Sequence, residues 1–118
     1  MDVMKLQLKL RKFSKDRDWE KFHSPKNLAM ALSGETGELL EIFQWMTEEQ
    51  SKLATEDNGC KQKISEELAD VFIYALMLAD KTDIDIEDAV ERKISINDDK
   101  YPISSSKGNA VKYNRRGK

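Results

Sequence analysis

Apolar residues recur along the chain with a helical period from its first residues. Val3, Leu6, Leu10 and Phe13 fall three or four apart, which places them on one face of a helix over about residues 2–17. The stretch DWEKFHSPKN breaks that pattern. Within it, Ser24 followed by Pro25 is a helix start, because serine caps free amides and proline fits the first turn. From Pro25 to about Met46, Leu28, Leu32, Glu35, Leu39, Ile42 and Met46 recur alternately four and three apart, the seam of a packed helix bundle. Residues 47–60 lack a clear period and contain Asn58-Gly59, a turn signal, so they are expected to form a connecting loop with room for a short helix.

A third helix is expected over about 61–81, with Ile64, Leu68, Val71, Ala75 and Leu78 as its buried stripe. Asp85 is placed to cap a fourth, which runs to about Asp98 with Ile86, Ala89, Val90 and Ile94 facing inward. The chain then leaves through Tyr101-Pro102 into a polar tail. No strand pattern competes with this reading. The expected fold is therefore all-α: a four-helix bundle in one domain over residues 1–100, followed by a basic, partly irregular tail over 101–118.

Length and composition agree. With 118 residues there is room for one core, and 39% hydrophobic against 36% charged residues suits a thin core under a heavily charged exterior. Phe43, Phe72 and Ile73 fall off the main seams, so a second apolar face is expected to pack on another copy, as a homodimer or a dimer of dimers. The net charge of −2 conceals an asymmetry: residues 1–99 hold all 22 acids against 14 Lys and Arg, while 100–118 hold six bases and no acid. Such a tail is most simply a solvated end, although it can also neutralise phosphates.

Cys60 is the only cysteine, which rules out a disulfide within the chain and fits a reducing compartment. Nowhere does the sequence offer the run of about 18 apolar residues that a membrane helix requires. A cytoplasmic location is the expectation, with no membrane partner.

The candidate chemistry is acidic. Glu35 and Glu38 lie three apart on the second helix, and Glu67 and Asp70 three apart on the third, so each pair projects from one helical face. In a chain this rich in acids, a single such pair is usually a solvated surface. Position argues otherwise, since Glu35 sits on the seam between Leu32 and Leu39, and Glu67 and Asp70 flank Leu68 and Val71. Four facing carboxylates repel one another unless a cation lies between them. Hard oxygen ligands without thiolates select Mg²⁺, with Mn²⁺ as a substitute, and neither pair ends in the histidine that a di-iron bundle uses.

Magnesium held by carboxylates keeps positions open for water and phosphate oxygens, which makes a nucleotide the natural partner. No glycine-rich phosphate loop is present. Glu38 or Glu41 would orient the attacking water, Glu41 being equally readable as an exposed helix charge. Tyr74 and Trp45 fall on the acidic faces, where they could stack on a base or belong to a core or interface. Lys93, Lys100, Lys107, Arg115 and Arg116 are candidates to neutralise phosphates, or are simply solvated.

The runs NLAMALSGETGELLEIFQW and ISEELADVFIY are similar to those of the MazG-like all-α nucleotide pyrophosphohydrolases, which carry Glu-x-x-Glu and Glu-x-x-Asp pairs. DWEKFHSPKN and KYP extend the likeness over about residues 13–113, and within the superfamily it looks closest to the dCTP pyrophosphatases. The resemblance implies Mg²⁺-dependent hydrolysis of a deoxynucleoside triphosphate, dCTP or a modified dCTP, to monophosphate and pyrophosphate, in the service of nucleotide-pool cleaning. It implies Glu35, Glu38, Glu67 and Asp70 as metal ligands. It also places Trp19, His23, Trp45 and Tyr74, with Asn97 as a weaker match, around the nucleotide. Two departures bear on substrate choice: Gly34 stands where many relatives have a further glutamate, and Leu10 where the dCTP subgroup can place a polar residue. The competing reading is a helical interaction module whose basic tail recruits RNA or an acidic partner, its acids being surface decoration; nucleic acid is otherwise not expected as a partner.

Overall fold

A computed structural model describes residues 1–110 of the chain. Every regular element among them is helical: α1 (Val3–Asp16), α2 (Pro25–Phe43), α3 (Glu48–Lys52), α4 (Asn58–Lys81), α5 (Ile86–Lys100) and α6 (Ile103–Ser106). Single 3-10 turns at Glu20–Phe22 and Ala54–Glu56 link them. The all-α expectation holds.

Local chemistry sets most of the helix starts. The side chains of Asp2, Ser24, Thr47, Asp57 and Asp85 each accept a hydrogen bond from a backbone amide in the first turn of the helix that follows. Such a cap typically contributes about 1 kcal/mol. Ser24 with Pro25 opens α2, and Asp85 caps α5, as their sequence suggested. Asn58-Gly59, in contrast, is not a turn: Asp57 accepts from the Gly59 amide at 3.0 Å and draws both residues into the first turn of α4. A glycine costs little in a first turn, whose amides have no helical partner in any case. At the other end, α2 stops at Phe43, short of Met46, which is held by a turn bond from its amide to the Phe43 carbonyl.

The chain divides into two compact units, Met1–Ile84 and Asp85–Lys118. In the first, α2 packs extensively along α4, and α1 lies against α4 as well. Leu28, Leu76, Ala79 and Ala54 form its small core, and Ser14 of α1 is the one buried polar residue among those described. The α2 seam appears as expected, with Leu28 buried and Leu32, Glu35, Leu39, Ile42 and Met46 half-buried. Two side chains of α1 fix it on α4. Gln7 Nε2 donates to the Leu76 carbonyl at 3.0 Å, and the Arg11 guanidinium grips the Asp80 carboxylate in two-pronged fashion, Nε to Oδ2 at 2.7 Å.

The stripe expected on α4 is only partly buried, since Leu68 is exposed while Asp70, Ile73 and Tyr74 turn inward. In a single chain α4 meets α1 and α2 on two sides, which widens its inner face beyond one seam. In the second unit, Ile86 and Ala89 of α5 are half-buried, but Val90 and Ile94 are exposed. Two inward positions, and not four, make up its apolar face. No helix among the described residues is long and apolar enough to cross a membrane.

Candidate metal and nucleotide site

The packing of α2 on α4 decides the position of the acids. Glu35 and Glu38 project from α2 and Glu67 from α4, and one carboxylate oxygen of each lies within 4.8 Å of the others. Around an octahedral Mg²⁺, neighbouring ligand oxygens stand about 3.0 Å apart and opposite ones about 4.2 Å, so the three carboxylates would close on one cation by drawing inward. Glu35 Oε2 and Glu67 Oε2 are buried without any hydrogen-bond partner. Buried carboxylate oxygens left unpaired are costly, and a cation is the partner their geometry lacks.

The electrostatics carry the same message. Glu35 is pushed up to about 7, first by a hydrogen-bonding contact with Glu38, then by burial and by the charges of Glu38, Asp70 and Glu67. Glu67 is also raised, by burial first and then by the charge of Glu38. Acids held this close share protons at neutral pH unless positive charge is supplied.

Asp70 stands a little apart from the tight trio. It is half-buried, and with Glu35 it lines a cavity of about 350 Å³ whose other walls include Phe13, Trp19, His23 and Tyr74. Trp19 is held edge-on to Phe13, the ring centres 5.7 Å apart and the planes at 74°. Three of the residues matched to the nucleotide by resemblance therefore share one mostly apolar cavity that ends in acids. Trp45 is not in its wall; it is 88% exposed. Asn97 lies on α5 in the second unit, where its carbonyl accepts from the Tyr101 amide.

Glu41 is exposed and faces a different, polar recess of about 380 Å³, together with Glu38, Lys63 and Glu67. Lys63 is a cation that sequence reasoning does not single out. It lies one helical turn ahead of Glu67, but a lysine in a charged helix is ordinary until the neighbouring helix is placed. Arg115 and Arg116 lie outside the described residues. At Gly34 a Cβ would meet nothing within 4 Å, so packing does not forbid a side chain there.

Similarity to known proteins follows the same residues. A model of the MazG-like family matches residues 30–115, which includes every member of the acidic cluster. The chain belongs to the MazG-like family. The mouse protein named dCTP pyrophosphatase 1 is 42% identical over 101 residues, which is 86% of this chain and 59% of that protein. Its human counterpart is 41% identical over the same share of this chain. The chain thus spans about 59% of the length of these curated relatives. Among solved structures, a pyrophosphatase from Archaeoglobus fulgidus matches with a TM-score of 0.76 at 42% identity, covering 86% of this chain and 94% of that one.

Proposed function

We propose that this MazG-like protein hydrolyses deoxynucleoside triphosphates, dCTP or a modified dCTP foremost, between the α and β phosphorus atoms. Water adds at phosphorus, the bridging P–O bond breaks, and monophosphate and pyrophosphate leave. The observation that carries the reading is the trio Glu35, Glu38 and Glu67, gathered from two helices with two buried oxygens unpaired, next to a cavity with aromatic walls. The names of the mouse and human relatives and of the archaeal structure support the same chemistry.

The donor set fits a hard divalent cation, and Glu35, Glu38, Glu67 and Asp70 would hold it, Mg²⁺ first and Mn²⁺ as substitute. Such an ion supplies positive charge against the triphosphate oxygens and favours attack at phosphorus. The chain's own residues do the rest. Glu38, which belongs to the trio and also lines the polar recess, orients the water and takes its proton; Glu41 supports it from the recess. Trp19 and Tyr74 hold the base between aromatic faces, and His23 hydrogen-bonds it. Trp45 and Asn97 are assigned to the same nucleotide on the resemblance alone.

Residues 1–100 form the catalytic part and 101–118 a basic appendage. The protein acts as a homodimer or dimer of dimers. Phe72, Leu68 and Met1 support this, standing exposed around an apolar groove of about 520 Å³ between α1 and α4. Its place is the cytoplasm and its task the removal of unwanted nucleotides from the pool.

The deciding experiment incubates the purified chain with each dNTP and NTP, in Mg²⁺ or in EDTA, and identifies the products. Metal-dependent release of pyrophosphate with dCMP is expected. Pyrophosphate from another dNTP alone would move the base preference. Failure to turn over any nucleotide would favour the interaction-module reading.

A further inference from the structure

Ser14 is 4% exposed, in a helix whose neighbouring positions are solvated. A serine inside a helix commonly bonds back to the carbonyl a turn earlier, yet the Ser14 hydroxyl makes no hydrogen bond among the described residues, while its backbone carbonyl accepts from the Arg17 and Trp19 amides. The hydroxyl oxygen is not among the fully buried atoms that lack a partner, so it opens on the cavities that Ser14 lines, where a ligand group can reach it.

The surroundings of that hydroxyl show where. Ser14 lines the aromatic cavity described above, whose wall is otherwise built mainly from carbon: Leu10, Phe13, Trp19, Ile73, Tyr74 and Met77. It also lines a second, more polar cavity of about 300 Å³, which contains neither Glu35 nor Asp70. The wall common to both cavities includes Ser14 and His23. The acids thus occupy one part of the aromatic cavity, and these two hydrogen-bonding side chains lie on the side shared with its neighbour.

Resting on the reading of the site as one for deoxynucleoside triphosphates, we propose that Ser14 is a specificity residue whose hydroxyl hydrogen-bonds the edge of the bound base. A triphosphate drawn to the acidic end leaves its base among the aromatic walls, with its polar edge toward Ser14 and His23. A hydroxyl donates and accepts at once, so it suits a base edge that presents an amine beside a ring nitrogen. Sites that hydrogen-bond a substrate group discriminate against ligands lacking it, because the site's own group is then left unpaired.

The test measures kcat/KM of wild type and Ser14→Ala on the four dNTPs and on deoxyribose 5-triphosphate, which carries no base. For the preferred dNTP the variant should lose roughly three- to tenfold, the span of one neutral hydrogen bond. On the base-less triphosphate the two proteins should agree within about twofold. Equal losses on both substrates, or no loss on either, would overturn the role of Ser14 while leaving the function intact. A wild type inactive on every triphosphate would instead overturn the function, and this role with it. Alanine is the better helix former, so the variant should fold; if it does not, Ser14→Cys, somewhat larger and a much weaker hydrogen-bonding group, carries the same comparison.

Discussion

Replacing Glu35 by glutamine should move stability and activity in opposite directions. In the absence of metal, the folded state raises Glu35 from its ordinary 4.5 to about 7, so its ionised form is the strained one. A raised carboxyl contributes stability fully only below its unfolded pKa, and that contribution fades as pH climbs through 7. At pH 8 in EDTA the wild type has therefore lost it, whereas glutamine, neutral at every pH, has not. A tenfold change in an acid's ionisation constant corresponds to about 1.4 kcal/mol; discounting for water that reaches the cluster leaves a gain of roughly 1–2 kcal/mol for Glu35→Gln. A chain of 118 residues unfolds with an entropy near 0.25 kcal/mol/K, so the melting temperature should rise by about 4–8 °C. At pH 5 most of that difference should vanish, because wild-type Glu35 is then protonated in the fold. With millimolar Mg²⁺ at pH 8 the order reverses, since the wild type gains ligand stabilisation that glutamine cannot match. Thermal melts across these conditions read all of this without any enzyme assay. A variant less stable than wild type in EDTA at pH 8 would refute the picture of a mutually repelling, cation-seeking trio.

Asp80 is held below the usual carboxylate range, chiefly by its hydrogen bond with Arg11, so its contribution to stability is present above about pH 4 and disappears as pH falls through its lowered pKa. Asp80→Asn should accordingly cost on the order of 1 kcal/mol at neutral pH and flatten the acid limb of a melting-temperature profile. Tyr74→Ala should raise KM for the nucleotide by roughly five- to a hundredfold, the worth of one stacked base, while circular dichroism shows an intact helical fold.

The helices were readable because their signals are local. Ser24-Pro25 and Asp85 announce caps with no help from the rest of the chain, and the seam from Leu28 to Met46 requires only that one face be buried. Asn58-Gly59 misled because the same pair serves a turn or a first helical turn, and the carboxylate of Asp57 tips the balance. For the site, Glu35 stood out as an acid on an apolar seam, and its pairing with Glu38 and Glu67 followed once two helices were assumed to face each other. Ser14 and Lys63 could not be singled out the same way. Nothing in SKD or KQK distinguishes a buried or cluster-facing residue from a solvated one until α1 and α2 are laid on α4. Which of Leu68, Phe72, Val90 and Ile94 stay uncovered is likewise a property of how few helices surround them, not of their spacing.

The aromatic inventory gives this protein two optical reporters in unlike settings. Trp19 and Trp45 are its only tryptophans: one leans on Phe13 at the lip of the aromatic cavity, the other stands almost wholly in water. Indole emission shifts to the blue and changes in yield as water is removed, so light from Trp19 answers to whatever fills the cavity and light from Trp45 to whatever covers the end of α2. Single Trp→Phe proteins would separate the two signals, and an unlabelled sample could then follow cavity filling and surface coverage as distinct events in one cuvette.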